Sequence, residues 1–301
     1  MSDVPDFSKS SLMLNNGMDI PAIGMGTCGV WRPNDVYDMV DNALKAGYRL
    51  FDTSTTHHNE QALGHALKEL LPKYNLNRDD IYITTKLDIR IPDNIVMSEH
   101  VKNSFEISLQ NLCTDYIDLY LIQSPGVVAT HKHSSNNVSL RSDAWRNMEK
   151  LYDEGRVNAI GVSNYSVKHM REFIANHTSI IPMVNQVEWS PSYHPTNLIR
   201  FCESHYIVMQ AHTSLGGASY GNMGLLRNTV VNNIARHHSA TPAQVLLAWS
   251  VQQNIGIIPQ ATYPQFMVEN IELKFRLTSK EIEIMSNFEE RMCSTDFETI
   301  R

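Results

Sequence analysis

Short runs of apolar, β-branched and aromatic residues alternate with amphipathic stretches along most of the chain. The runs at 23–27, 49–53, 81–86, 116–123, 159–164, 182–188, 206–212 and 255–260 read as strands. The stretches between them carry apolar residues at three- and four-residue spacing. Trp145, Met148, Leu151 and Tyr152 share one such face, and Gly155 supplies the stop. Strand–helix units in this succession, without a long linker, predict a parallel sheet covered by helices. Eight of them close into a (β/α)8 TIM barrel. An open doubly wound sheet is the rival, but no GxGxxG follows the first strand. GMGTCG at 24–29 is only a weak imitation. Ahead of the barrel, LMLNNGMDIPA at 12–22 reads as a β-hairpin turning at Asn16-Gly17, placed to close the barrel bottom. No repeat or boundary interrupts the pattern, so residues 1–301 are expected to form a single domain.

The strands run apolar and then finish on polar residues. Asp52 ends the second, Lys86 the third, Gln123 the fourth, and Ser163 and Asn164 the fifth. The sixth carries Asn185, Gln186 and Glu188, the seventh ends at His212 and the eighth at Gln260. In a parallel barrel all these ends share the C-terminal face, where active sites are built. Solvent contact alone accounts for one or two polar ends. It accounts poorly for Asp52 behind RLF and Lys86 behind IYITT, whose hydrophobic lead-ins place them inside. A buried Asp52–Lys86 pair is the arrangement that holds both charges there.

Composition narrows the partners. Of 301 residues, 42% are hydrophobic and 19% charged, which argues against disorder. The balance of 25 Lys plus Arg against 32 Asp plus Glu, net -7, argues against nucleic acid or an anionic membrane. No apolar stretch is long enough to span a bilayer, and residues 1–10 lack a signal-peptide pattern. Cys28, Cys113, Cys202 and Cys293 show no paired spacing and read as reduced thiols, pointing to a cytoplasmic protein. The thirteen histidines stand out. His57 and His212 with His131 or His133, on the stretch 127–140, form no HxxxH spacing, so no metal site is expected. GGASYGNMG at 216–224 fits either a backbone cradle for a pyrophosphate or a loop.

Several segments carry a more specific signal. LNNGMDIPAIGMGT, ALKAGYRLFDT, ITTKL, TDYIDLYLI, GRVNAIGVSNYS, NQVEWSP and TPAQVLLAW follow one another in a fixed order. From about Leu12 to Leu277 the chain resembles the aldo-keto reductase superfamily. The resemblance implies a cytosolic, monomeric (β/α)8 barrel with a small-molecule substrate. It also implies an NADPH nicotinamide at the top face, passing hydride to an aldehyde or ketone. The family's catalytic Asp and Lys match Asp52 and Lys86, but its Tyr position holds His57 and its His position Gln123. A protonated His57 would still be an acid, and Gln123 an N–H donor to a carbonyl oxygen. Lys86 would oppose the imidazolium and Asp52 would favour it.

For the cofactor, the resemblance assigns Ser163, Asn164 and Gln186 to the nicotinamide amide and Glu269 and Asn270 to the adenine, all retained. His212 replaces a stacking aromatic. Where the family pattern IPKSxNxxRIxEN places cations around the adenosine 2′-phosphate, this chain reads IPQATYPQFMVEN, with Gln260 for Lys and Phe266 for Arg. Charge-assisted hydrogen bonds contribute about 1.5–3 kcal/mol each, so their loss is expected to cost about two to four decades of affinity. No cofactor is therefore expected: NAD(P)H weak or absent, NADH less penalised than NADPH. Rings of Tyr263 and Phe266 filling the adenosine slot would end the dinucleotide reading. The leading expectation is non-redox acid–base chemistry of isomerase, cyclase or lyase type at Asp52, His57, Lys86 and Gln123. An NAD(P)H-dependent aldehyde or ketone oxidoreductase with changed cofactor use, and a catalytically silent binding or structural protein, are the alternatives. Asp88, where the family often has a substrate-facing Trp, either polarises the mouth or points outward. The chain ends soon after the last helical pattern, so a short substrate-covering C-terminal loop is expected.

Overall fold

A computed structural model describes residues 6–91, 95–127, 136–177, 179–218, 221–289, 297 and 300. The stretch 128–135, with His131 and His133, and Cys293 lie outside them. The predicted hairpin is present: β1 (Ser11–Met13) pairs antiparallel with β2 (Asp19–Pro21). Gly17 turns it at φ 85°, in the left-handed region that glycine enters without penalty.

Eight parallel strands follow: β3 (Met25–Gly26), β4 (Leu50–Asp52), β5 (Tyr82–Leu87), β6 (Ile117–Ile122), β7 (Val157–Ser163), β8 (Val184–Glu188), β9 (Val208–His212) and β10 (Gly256–Ile257). Each pairs with its successor, and Ile23 bridges back to Ile257 in parallel, closing the ring. The first and last strands, at two residues each, are shorter than their apolar runs, and the chain is tight there. A side chain on Gly26 would meet the Ile258 carbonyl at 2.7 Å, so two backbones pass at glycine distance. The helices are α1 (Pro33–Ala46), α2 (Glu60–Leu70), α3 (Met97–Leu112), α4 (Asn136–Asp153), α5 (Val167–His177), α6 (Thr196–Ser204), α7 (Thr229–His238), α8 (Pro242–Val251), α9 (Pro264–Ile271) and α10 (Ser279–Ser286). Local chemistry sets their ends. Pro33 opens α1 and Gly47 closes it in the left-handed conformation, and Thr241 with Gln244 forms a capping box on α8.

Two apolar cores follow from the strand alternation. The larger fills the space between helices and sheet, and Trp145, Met148 and Leu151 of α4 belong to it. The smaller occupies the barrel interior, where Leu14 and Ile20 of the hairpin join Leu50, Tyr82, Leu119 and Val184. Asn16 donates to the Asn158 carbonyl at 3.1 Å, at the start of β7, so the hairpin closes the barrel bottom as expected. With that end plugged, a ligand enters only from the C-terminal ends of the strands. Among the described residues no helix is long and apolar enough to cross a membrane.

Candidate functional site

Most of the strand-end polar residues converge on one cavity of about 970 Å³, while Asn185 and Glu188 do not line it. That is the upper end of the range of about 300–1,000 Å³ usual for small-molecule sites. Asp52, His57, Lys86, Gln123, Ser163, Asn164, Gln186, His212, Glu269 and Asn270 all line it.

At its base Lys86 Nζ donates to Asp52 Oδ1 at 2.6 Å and to the Thr53 carbonyl at 2.8 Å. Both side chains are only 3% exposed, so the pair that the hydrophobic lead-ins demanded is formed. Asp52 Oδ2 accepts from Gln186 Nε2 at 2.7 Å, and the same amide nitrogen donates to Gln210 Oε1 at 2.8 Å. An ammonium carries three donors, and two of those on Lys86 are engaged. The third has no protein partner among the described residues, and Lys86 faces the cavity.

His57 sits at the end of a short 3-10 turn, Thr55–His57, which Ser54 caps by accepting from the Thr56 amide at 3.2 Å. Burial, then the charge of Lys86, drives its imidazole down to about 3, with His58 and His212 acting in the same direction. The expectation that a protonated His57 serves as an acid is therefore corrected. The ring is neutral at physiological pH, and Asp52 provides no offset because Lys86 and Gln186 already occupy its carboxylate. Its Nδ1 is enclosed without a hydrogen-bond partner among the described residues, a burial that costs about 1–3 kcal/mol. His58 beside it is exposed in a left-handed conformation.

A second chain of bonds orders the wall. Thr213 Oγ1 lies 3.0 Å from His212 Nδ1, and His212 Nε2 lies 3.0 Å from Asn164 Oδ1. Asn164 Nδ2 donates to the Gln123 carbonyl at 3.0 Å, which fixes its oxygen as the acceptor. His212 thus carries its proton on Nε2 and accepts on Nδ1. Burial holds its imidazole down near 4, with Glu188 opposing and Lys86 reinforcing. Ser163 Oγ donates to the Gln186 carbonyl at 2.8 Å. Ser54 Oγ donates to Gln123 Oε1 in a short hydrogen bond, which turns the Gln123 amide N–H group away from that contact.

At the far end Tyr263 and Phe266 meet edge to face, centroids 5.9 Å apart, and are 61% and 47% exposed. They form a rim and leave the slot open. Glu269 Oε1 accepts from Thr241 Oγ1 at 2.5 Å, tying α9 to the α8 cap. Lys86 is the only lysine or arginine among the described residues lining the cavity.

Sequence reasoning missed three contributors. Ser54 and Gln210 act through hydrogen bonds that no local motif reveals. Phe297 also lines the cavity, and Ile300 beyond it is fully buried with its carbonyl 2.9 Å from His169 Nε2. Phe297 thus brings the segment after α10 to the pocket wall, where a short covering loop was expected. Asp88 does not line the cavity and accepts from the Arg90 backbone at 3.0 Å, the outward reading.

A closed parallel barrel, plugged below and carrying a buried Asp–Lys pair in a strand-end pocket, defines the class: a TIM-barrel protein with an enzyme-type site. The sequence model of the Aldo/keto reductase family matches residues 22–290, and the chain belongs to that family. The NADP-dependent D-sorbitol-6-phosphate dehydrogenase of Malus domestica is 31% identical over 304 residues, covering 94% of each chain. The glyoxal reductase of Bacillus subtilis (strain 168) is 33% identical over 281 residues, 93% of each. Among solved structures, an aldo-keto reductase from a Medee basin deep-sea metagenome library superposes with a TM-score of 0.84 at 33% identity, over 97% of this chain and 100% of its own.

These relatives overturn two expectations. Non-redox isomerase, cyclase or lyase chemistry gives way to the oxidoreductase alternative, and the absence of a nicotinamide cofactor is likewise corrected. The physical reason is that lost cations were read as a lost site. Phe266 stands exposed at the rim and Gln260 half-buried beside the pocket, and the cavity stays open behind them.

Proposed function

We propose that the protein is a nicotinamide-dependent oxidoreductase of small aldehydes or ketones with altered cofactor discrimination. The open cavity running from Lys86 to Asn270 carries this reading, since it joins a polar reaction end to a slot between α8 and α9. The donor set fits a nicotinamide. Gln186 has both amide N–H groups engaged, and Asn164 Nδ2 donates to Gln123 and Ser163, so Gln186 Oε1 and the Ser163 hydroxyl oxygen remain as acceptors for a carboxamide NH2. A reduced nicotinamide bound there supplies a hydride to the carbonyl carbon.

The residues of this chain handle the oxygen and its proton. The free N–H of Lys86 and the amide of Gln123 are donors available to the carbonyl oxygen. Asp52 holds Lys86 in place as the cation that meets developing negative charge. The proton that completes the alcohol comes from the Lys86 ammonium and is restored from solvent. His57, neutral, contributes a ring that polarises without delivering net charge. The departures from the family pattern at His57 and Gln123 thus change which group gives the proton, while the hydride chemistry is kept.

At the adenosine end the 2′-phosphate alone separates NADPH from NADH, and Gln260, Ala261 and Phe266 offer it no cation. Discrimination between the two nucleotides should be small. The test follows loss of reduced-nicotinamide absorbance with a panel of small aldehydes, using each nucleotide in turn. Aldehyde-dependent oxidation abolished in Lys86→Met supports the reading. Absence of turnover with every aldehyde and both nucleotides, from folded protein, overturns it.

A further inference from the structure

One cluster stands outside the cavity. His237 and His238 occupy the last turn of α7, and Glu281 lies in the first turn of α10. None of the three lines the pocket. His238 Nε2 is 3.0 Å from both Glu281 oxygens, and His237 Nδ1 is 3.2 Å from Oε1. Potential ligand atoms of all three residues fall within 4.8 Å of one another.

We propose that His237, His238 and Glu281 form a binding site for a divalent transition-metal ion of the zinc class, bridging α7 and α10. Two imidazoles and one carboxylate are a donor set that zinc accepts, with solvent completing the tetrahedron. Metal–ligand bonds of about 2.0–2.2 Å place tetrahedral donors about 3.4 Å apart. The two imidazole–carboxylate separations already match that spacing. The remaining span closes by rotation of His237, whose side chain is 70% exposed, bonded to Glu281 and against the His238 ring, centroids 4.8 Å apart. His238 and Glu281 are the fixed half of the site, at 14% and 12% exposure. The His238 ring rests against Phe275, centroids 5.2 Å apart.

The carboxylate is prepared for a cation. Glu281 Oε2 is positioned by the Thr278 amide at 2.7 Å and hydroxyl at 2.8 Å, as part of the α10 capping box. Such outer hydrogen bonds orient a metal-binding carboxylate and limit the entropy lost on binding. The bound ion would clamp α10 to α7. α10 is otherwise tied to the barrel through Trp249, whose Nε1 donates to Ser286 Oγ at 3.2 Å, and His194, whose Nε2 is 2.9 Å from the Ser286 carbonyl.

The test titrates Zn²⁺ into the full chain by calorimetry, with parallel melting curves. The wild type should bind one ion with micromolar affinity and melt higher with zinc. His237→Gln and His238→Gln should each lose affinity by about tenfold or more, and with it the thermal response. His237→Gln changes an exposed side chain, so its fold is safe. Identical isotherms in all three proteins would refer the binding to other histidines and overturn the site. So would variants that melt lower without metal while zinc changes nothing in the wild type. In that case the cluster is only an ion-paired clasp.

Discussion

Substituting Lys86 with methionine removes one half of a buried ion pair while keeping most of the side-chain volume. In the native protein Asp52 receives Lys86 at 2.6 Å and Gln186 at 2.7 Å, and neither charged side chain is more than 3% exposed. Without the ammonium, Asp52 remains a buried anion with only the Gln186 amide as partner among the described residues. Removing one partner of such a pair costs about 3–5 kcal/mol, because the other charge is left uncompensated. At about 2.1 cal/mol/K per residue, unfolding entropy over 301 residues converts this to a fall in Tm of about 5–8 °C. The double variant Asp52→Asn with Lys86→Met should recover most of that fall, since no unpaired charge remains. Neither variant should turn over carbonyl substrate. Thermal unfolding followed by circular dichroism reads the cycle directly. A single variant melting within about 1 °C of wild type, or a double variant losing stability additively, would refute the pair as a buried, mutually dependent unit.

Other outcomes are expected. Phe266→Arg restores a cation at the rim and should raise the kcat/KM ratio of NADPH over NADH by about ten- to a hundredfold, read by initial rates with each nucleotide. Ser54→Ala frees the Gln123 amide to turn, and should lower kcat about tenfold with cofactor KM unchanged. His57 and His212 are depressed to about 3 and 4, so the unfolded chain binds more protons than the native one below pH 6.5. Their contribution to stability is full above that pH and is lost as pH falls toward 4. Urea midpoints across this window should drop less steeply in His57→Gln than in wild type.

How far the chain could be read depends on the range of each interaction. The alternation of strand and helix is local, and it placed the hairpin, the barrel and the strand-end register of Asp52, Lys86 and Gln123 correctly. The weakest elements were the two closing strands. They pass close to the facing backbone at Gly26, a contact that hydrophobicity alone does not show. The adenosine end was misjudged for another reason. Phe266 and Gln260 are visibly uncharged, yet whether a ring fills a slot or borders it depends on how α9 sits against α8. Phe297 was missed because its approach to the pocket depends on Ile300 and His169, distant in sequence and joined only by folding.

The sequence by itself determined the strand–helix order, the polar strand ends and the family, because periodicity and motif are carried by neighbouring residues. Tertiary structure alone decided the rest. It left the cavity open, made His57 neutral through burial and the Lys86 charge, and oriented Gln123 through Ser54. Dielectric environment, free volume and hydrogen-bond direction are properties of residues brought together from across the chain.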